Sequence, residues 1–333
     1  MPIFSESAGV AESIFKNDQM AIRLLCEHNA EACEQQSVLK HLFLMGKSKH
    51  FSEKYTSLTA MDGFKPVGEG GAYPDDGMVE GFSKTIEHET WKDRFVITRE
   101  MVDDTKIVDF KQKPKNFIAS YYRTRERFGA ALYGAGLKGE TKFAFSGKEF
   151  DATGADKLPV FSSKHPSKID AKKTQSNVCG NAFSEDALGR AEVAMQNFRG
   201  DNNEILGLSP DTIVIPNEHN VKKAVFAVIG ADKDPNTANN GFNYLFGRWR
   251  IIVWNYLNEF ISKDSIPWLI LDSNYNESHA GAIWSDRVDL EVKSSIDENT
   301  DNNRWNGYSR FGAGFNDWRF AMAGGVTGAA ELA

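Results

Sequence analysis

The chain has 333 residues, 41% of them hydrophobic and 26% charged, with a formal net charge of −7. This composition excludes wholesale disorder and supplies apolar material for one large or two modest cores. The acidic balance disfavours a protein that grips nucleic acid over a broad surface, because such binding rests on many Lys and Arg contacts to phosphate.

In chain order, the first signal is helical. From about Ala8 to Met45, apolar groups recur at mixed helical spacing (Ile14, Met20, Ile22, Leu25, then Val38, Leu42, Met45), which predicts helical segments in an arm with no core of its own. Between Phe64 and Thr98 the texture changes. The turn-rich FKPVGEGGAYPDDGMVEGF leads into alternating residues Ile86, His88, Thr90, Lys92, Arg94 and Val96, the pattern of a long exposed two-stranded excursion. Such a hairpin is marginal in water by itself, so it needs something to lie on, and another subunit would serve.

Pro114 suits the first turn of a helix whose apolar face holds Phe117, Tyr121, Phe128 and Leu132 and which ends in the Gly-rich YGAGLKG. Residues from Lys138 to Asn181 lack periodicity and read as a loop, a surface feature or an inter-subunit contact. Ser184 can cap a helix through about Phe198. The run TIVIP, ending at Pro216, then feeds a helix over Asn217 to Ile229. Further strands near Arg250, Leu269 and Val288 are expected to share one sheet with it. The closing RWNGYSRFGAGFNDWRFAMAGGV reads as a strand returning to an earlier part of the fold, and the final TGAAELA as a mobile tail.

The search for chemistry returns no catalytic, cofactor or metal residue. GEGGA at Gly68 to Ala72 lacks the Lys-Ser/Thr of a phosphate loop and does not join a strand to a helix, so it reads as a turn. Cys26, His28 and Cys33 have no second ligand pair at zinc spacing, and with Cys179 far off three free thiols are expected. His88 and His219 fit structural roles. The pairs Asp75–Asp76 and Asp103–Asp104 read as solvated turns or helix-start charge, not as carboxylates converging on a substrate. Arg123, Arg125 and Arg127 would spread over more than one helix face and suit salt bridges or subunit contacts better than phosphate. No run approaches the roughly 20 apolar residues of a membrane-spanning helix, and MPIFSESAGVAESIF lacks a signal-peptide pattern. The 23 Phe and 7 Trp call for a big core or large contacts with other chains.

The order of these elements, with WKDRFVITREMVDD at the base of the excursion, FIASYYRTRERFGAALYGAG, TIVIPNEHNVKKAV, WLILDSNYNES and NRWNGYSRFGAGFNDWR, resembles the major capsid proteins of tailed bacteriophages over roughly Thr59 to Val326. The likeness is greatest to Mu-like major head subunits. It implies the α+β capsid fold of the Hong Kong ninety-seven type: an N-terminal arm (1–60), an extended hairpin loop (61–100), a peripheral domain with a long spine helix (101–210), an axial domain (211–286), and return strands with a C-terminal tail (287–333). It implies a non-enzymatic, cofactor-free subunit that self-assembles as pentamers and hexamers into an icosahedral virion shell, formed in the host bacterial cytoplasm, holding double-stranded DNA by containment. A separate scaffolding protein, a portal and a decoration protein are the implied partners, with no membrane. An encapsulin-like compartment enclosing cargo enzymes shares the fold and is the alternative. Some relatives crosslink a hairpin Lys to a neighbour; Lys65 and Lys84 are available here, but no crosslink is expected.

Overall fold

The computed structural model describes residues 3–5, 12–58, 64–75, 80–104, 107–230, 243–260 and 266–332. Residues 1, 2, 6–11, 59 and 60 of the expected arm, 61–63 and 76–79 of the expected hairpin loop, and Ala333 of the expected tail lie outside them. The first part of the chain forms β1 (Ile3–Ser5), α1 (Glu12–Gln36), α2 (Leu39–Leu42), β2 (Leu44–Lys47), β3 (Ser52–Leu58), β4 (Glu80–Glu87), β5 (Glu89–Ile97), α3 (Arg99–Asp103) and α4 (Ile107–Leu137). The middle forms β6 (Lys142–Phe145), β7 (Lys148–Asp151), β8 (His165–Pro166), β9 (Thr174–Gln175), α5 (Glu185–Gln196), β10 (Thr212–Pro216) and α6 (His219–Ile229). The last part forms β11 (Arg250–Trp254), β12 (Trp268–Leu271), α7 (Ser273–His279), β13 (Ala282–Ile296), β14 (Asn303–Phe315) and β15 (Ala321–Gly324).

Two sheets organise the molecule. In the first, the long ribbon β13–β14 runs antiparallel from the pair Ala282–Phe315 to Ile296–Asn303, and β14 pairs on its other edge with β5. The outer edge of β13 takes β2 and β1, both parallel, on either side of an irregular stretch near Val288. In the second, β11, β10, β12 and β15 lie side by side. Every residue of β10 and β12 is buried, which explains why TIVIP and WLIL are continuous apolar runs instead of alternating ones. Helix α4 packs against both α1 and the ribbon, and the sheets share one large core. A smaller cluster of Cys26, Ala30, Ile97, Phe117, Ile118, Leu290, Val292 and Trp305 joins α1 to α4 and the far half of the ribbon. The described part of the arm thus buries its apolar groups against other elements and has no core of its own.

Local signals predict local structure well. Ser184 Oγ accepts from the Ala187 amide at 3.1 Å and caps α5. The β10–α6 unit stands where TIVIPNEHNVKKAV places it, with Glu218 accepting from the Val221 amide at 2.9 Å.

Five expectations change. Pro114 lies inside α4, which starts at Ile107, and not in its first turn. Strand β13 belongs to the ribbon and not to the sheet of β10, because its mate β14 draws it away. The excursion begins at β3, before Phe64, and β5 leaves it to pair with β14. The stretch 138–181 is not wholly a surface loop: it contains the β6–β7 hairpin and a buried polar cluster. The described tail is tied down, since Ala330 and Leu332 bond to Gly180, Asn181 and Arg190.

Aromatic residues also go mainly to the chain's own core. Trp91 and Trp284 stack on Phe311 at 4.9 and 5.0 Å, and Phe128 meets all three rings edge-on. Arg125 binds Asp286 with both guanidinium nitrogens at 2.8 and 2.9 Å while its plane lies 4.8 Å from Trp284 and 5.3 Å from Phe311. Both partners are nearly buried, so removing one strands a charge. Arg125→Ala should lower stability by about 3–5 kcal/mol in urea denaturation. Arg125→Lys should recover only part of the loss, because ammonium cannot make the forked contact.

Candidate functional site

The most distinctive surface feature is the excursion over β3 and β4. At its root it is firmly built. His88, between β4 and β5, is buried and bonds the Phe51 carbonyl through Nδ1 and Ser285 Oγ through Nε2, both at 2.8 Å. Lys84 is equally buried, with Nζ donating to Asp151 Oδ2 at 2.6 Å and to the Thr153 carbonyl at 2.7 Å. Lys84 is therefore committed to the fold, whereas Lys65 is exposed. The root crosses β14 so closely that a Cβ on Gly312 would sit 2.3 Å from the Glu87 carbonyl oxygen, which is why the RFGAGF phrase needs a glycine there.

Beyond the root the character reverses. Residues 64–75 form no strand. Phe64 and Tyr73 are essentially fully exposed, at 109% and 98%, and Val67 is more than half exposed. The GEGGA motif makes a tight turn, with Gly70 at φ +77° and the Gly71 amide donating to the Gly68 carbonyl. Asp75 beside it is exposed. Two aromatic rings thus stand bare to solvent beyond an anchored root.

The polar groups met elsewhere are satisfied structurally. His165, absent from the sequence reading, lies stacked on Trp318 at 4.4 Å and bonds Asp156 Oδ2 at 2.6 Å and Asn177 Oδ1 at 3.2 Å. Arg319 bridges Asp317 and Asp201, and Tyr275 donates to Asp317 at 2.8 Å. Glu126 accepts from Ser37 Oγ, the Val38 amide and Trp254 Nε1, tying the α1–α2 junction, α4 and β11 to one carboxylate. No signal in sequence marks these partners, which lie up to 128 residues apart. Of the arginine trio, Arg125 and Arg127 make ion pairs with Asp286 and Glu259, while Arg123 is exposed beside a surface hollow. His219 is the exposed first residue of α6. Burial, with Glu27 adding to it, pushes the Cys26 thiol up to about 12, and burial also raises Cys33 and Cys179.

Among the described residues there is no group of three or more His, Cys, Asp or Glu side chains able to hold a metal. No helix among them is long and apolar enough to cross a membrane. Surface hollows among the described residues include ones of about 270, 400 and 450 Å³, lined by mixed side chains. In the first, the ionisable pair Arg125–Asp286 is already satisfied within the fold.

Comparison with known proteins agrees with this picture. The family model described as "Phage capsid protein" matches residues 82–323, well over half of the chain. No curated protein gives a significant match. Among solved structures, the capsid of Ralstonia phage GP4 is similar at 11% identity and a TM-score of 0.54, covering 86% of this chain and 90% of that one. The head structure of Helicobacter pylori bacteriophage KHP40 is similar at 8% identity and a TM-score of 0.50, covering 84% and 86%. At such identities the likeness concerns the fold.

Two outcomes follow from the root and the thiols. Burial alone would raise the Asp151 carboxyl, but Lys84 and Thr153 outweigh it and hold it below the usual range. A depressed folded value means that the contact stabilises above the unfolded carboxylate range, about 3.9, and is lost as pH falls through the folded value. Urea unfolding repeated at decreasing pH should show a shallower acid loss in Asp151→Asn than in the parent. Under native conditions near neutral pH, a thiol reagent followed by peptide mapping should label half-exposed Cys33 first, with Cys26 and Cys179 protected until denaturant is added.

Proposed function

We propose, for a chain that belongs to the phage capsid protein family, how it builds its shell: copies associate as pentamers and hexamers that close into an icosahedral head around double-stranded DNA. The protein is a structural capsid subunit with the fold of tailed-phage capsids. The observation that carries the assembly reading is the contrast within one hairpin. Its root is locked by His88 and Lys84, and its tip carries Phe64 and Tyr73 bare to solvent.

An intramolecular hairpin gains nothing from exposed rings. Burying them on another copy would contribute about 25 cal/mol for each Å² of apolar surface removed from water. A contact between different patches on successive copies closes into rings or shells when the rotation is right.

In this reading residues 1–60 are an arm, 61–100 contain the extended loop, 101–210 form a peripheral domain on the spine helix α4, 211–286 an axial domain around the sheet of β10, and 287–333 the return to the periphery. The strands support a modification, with the loop starting at β3. A scaffolding protein, a portal and a decoration protein are the expected partners, and assembly takes place in the host cytoplasm. The acidic balance suits an inner wall along which DNA moves without adhering. Catalysis has no part in the role.

Replacing residues 64–75 with a short Gly-Ser turn tests the assembly reading. The altered chain should keep its near-ultraviolet circular dichroism and urea midpoint but lose the ability to form shells, judged by light scattering and negative-stain electron microscopy beside the parent. Shells formed at the parental yield would contradict the role given to the tip.

A further inference from the structure

The stretch from Lys157 to Lys173 carries five lysines, Lys157, Lys164, Lys168, Lys172 and Lys173, and a single acid, Asp170, in a chain whose net charge is −7. All five lysines are exposed. Among the described residues none of them makes a side-chain ion pair, and Lys168 Nζ lies over the Phe82 ring at 4.9 Å. Like charges this close in sequence repel one another, and among the described residues no side-chain ion pair offsets the repulsion.

Of the neighbouring acids, Asp156 and Asp201 have buried side chains, and the partly buried Asp170 lies within the turn itself. Asp156 is held by buried His165, with side-chain exposures of 2% and 0%. Asp201 is engaged by Arg319 and by the Lys168 amide, which donates at 2.9 Å. Asp170 accepts from the Lys172 amide and closes its own turn. The turn itself is rigid: the Ser167 amide donates to the Lys173 carbonyl, the Lys173 amide to the Asp170 carbonyl, and Ser167 Oγ to the Asp201 carbonyl. Ile169, 57% exposed, stands at its apex next to Lys168.

We propose that this lysine ridge is a docking surface for a short acidic segment of another protein. A hydrogen-bonded turn with more lysines than acids and an exposed apolar residue near its apex suits a peptide that offers carboxylates on either side of one aliphatic side chain. A DNA duplex suits it less well. It carries one negative charge per roughly 1.7 Å along its axis, so it would run past the ridge onto an acidic chain, and the ridge offers lysines without the forked arginines favoured for phosphate. The inference rests on the charge pattern of the monomer and does not depend on the shell reading.

The test uses the purified full chain, the triple variant Lys168→Glu, Lys172→Glu, Lys173→Glu, and the control Lys142→Glu, whose lysine already pairs with Glu149 on the β6–β7 hairpin. Two fluorescent probes are titrated by anisotropy: a short peptide of Asp and Glu around one central Leu, and a short DNA duplex. The expected result is salt-sensitive binding of the peptide, about tenfold weaker in the triple variant and unchanged in the control, with a further loss in Ile169→Ser. Stronger binding of the duplex, abolished in the triple variant, would overturn the proposal in favour of nucleic acid. Equal peptide binding by parent and triple variant, or none by the parent, would reduce the ridge to solvated surface.

Discussion

One buried guanidinium holds the two long elements of this molecule together. Arg125 projects from the middle of α4 into the ribbon, where the forked bond to Asp286 fixes its direction and the faces of Trp284 and Phe311 fix its depth. Asp286 sits where β13 becomes irregular, with its carbonyl accepting from the Ser48 amide at the end of β2. The same carboxylate also receives Trp284 Nε1. Helix, ribbon and N-terminal segment therefore meet at one charge pair. Removing either partner would leave the other charged in a place that water barely reaches, which makes the arrangement hard to deform gradually.

That rigidity is what gives the excursion meaning. Ser285, the residue before Asp286, bonds His88 and so connects the root of the excursion to the same part of the ribbon. Gly312 lets β14 approach the Glu87 backbone on the other side. On the proposed reading, so fixed a root gives the excursion a firm base for its contact with a neighbouring copy. The anchoring contacts lie within the monomer, and on the proposed reading the exposed rings serve the assembly.

The sequence made the local parts of this architecture readable and hid the parts that depend on distant partners. The Ser184 cap, the β10–α6 unit and the helical face of Phe117, Tyr121, Phe128 and Leu132 announce themselves within a few residues. The turn chemistry of residues 64–75 likewise marked an exposed excursion, because Gly and Pro there need no partner to be recognised. The strand that opens it carries no such mark, since SEKYTSL acquires its identity from Ser83 to Glu87 across the gap. Alternation also ran through β4 and β5 without showing that His88 redirects the chain between two sheets. The role of Lys84 depends on Asp151, that of His165 on Asp156 and Asn177, and that of Leu332 on Asn181 and Arg190. None of these pairs has a spacing rule. The aromatic excess was legible as a need for burial, but composition does not distinguish a ring that stacks on Phe311 from one left bare at Phe64.

The most direct measurement is a cryo-electron microscopy reconstruction of particles formed when the chain is expressed with its neighbouring genes. The expected result is closed shells of pentamers and hexamers in which Phe64 and Tyr73 are buried against an adjacent copy, while Arg125 and Asp286 remain paired inside each subunit. Small discrete particles, or shells in which residues 64–75 stay in solvent, would contradict it.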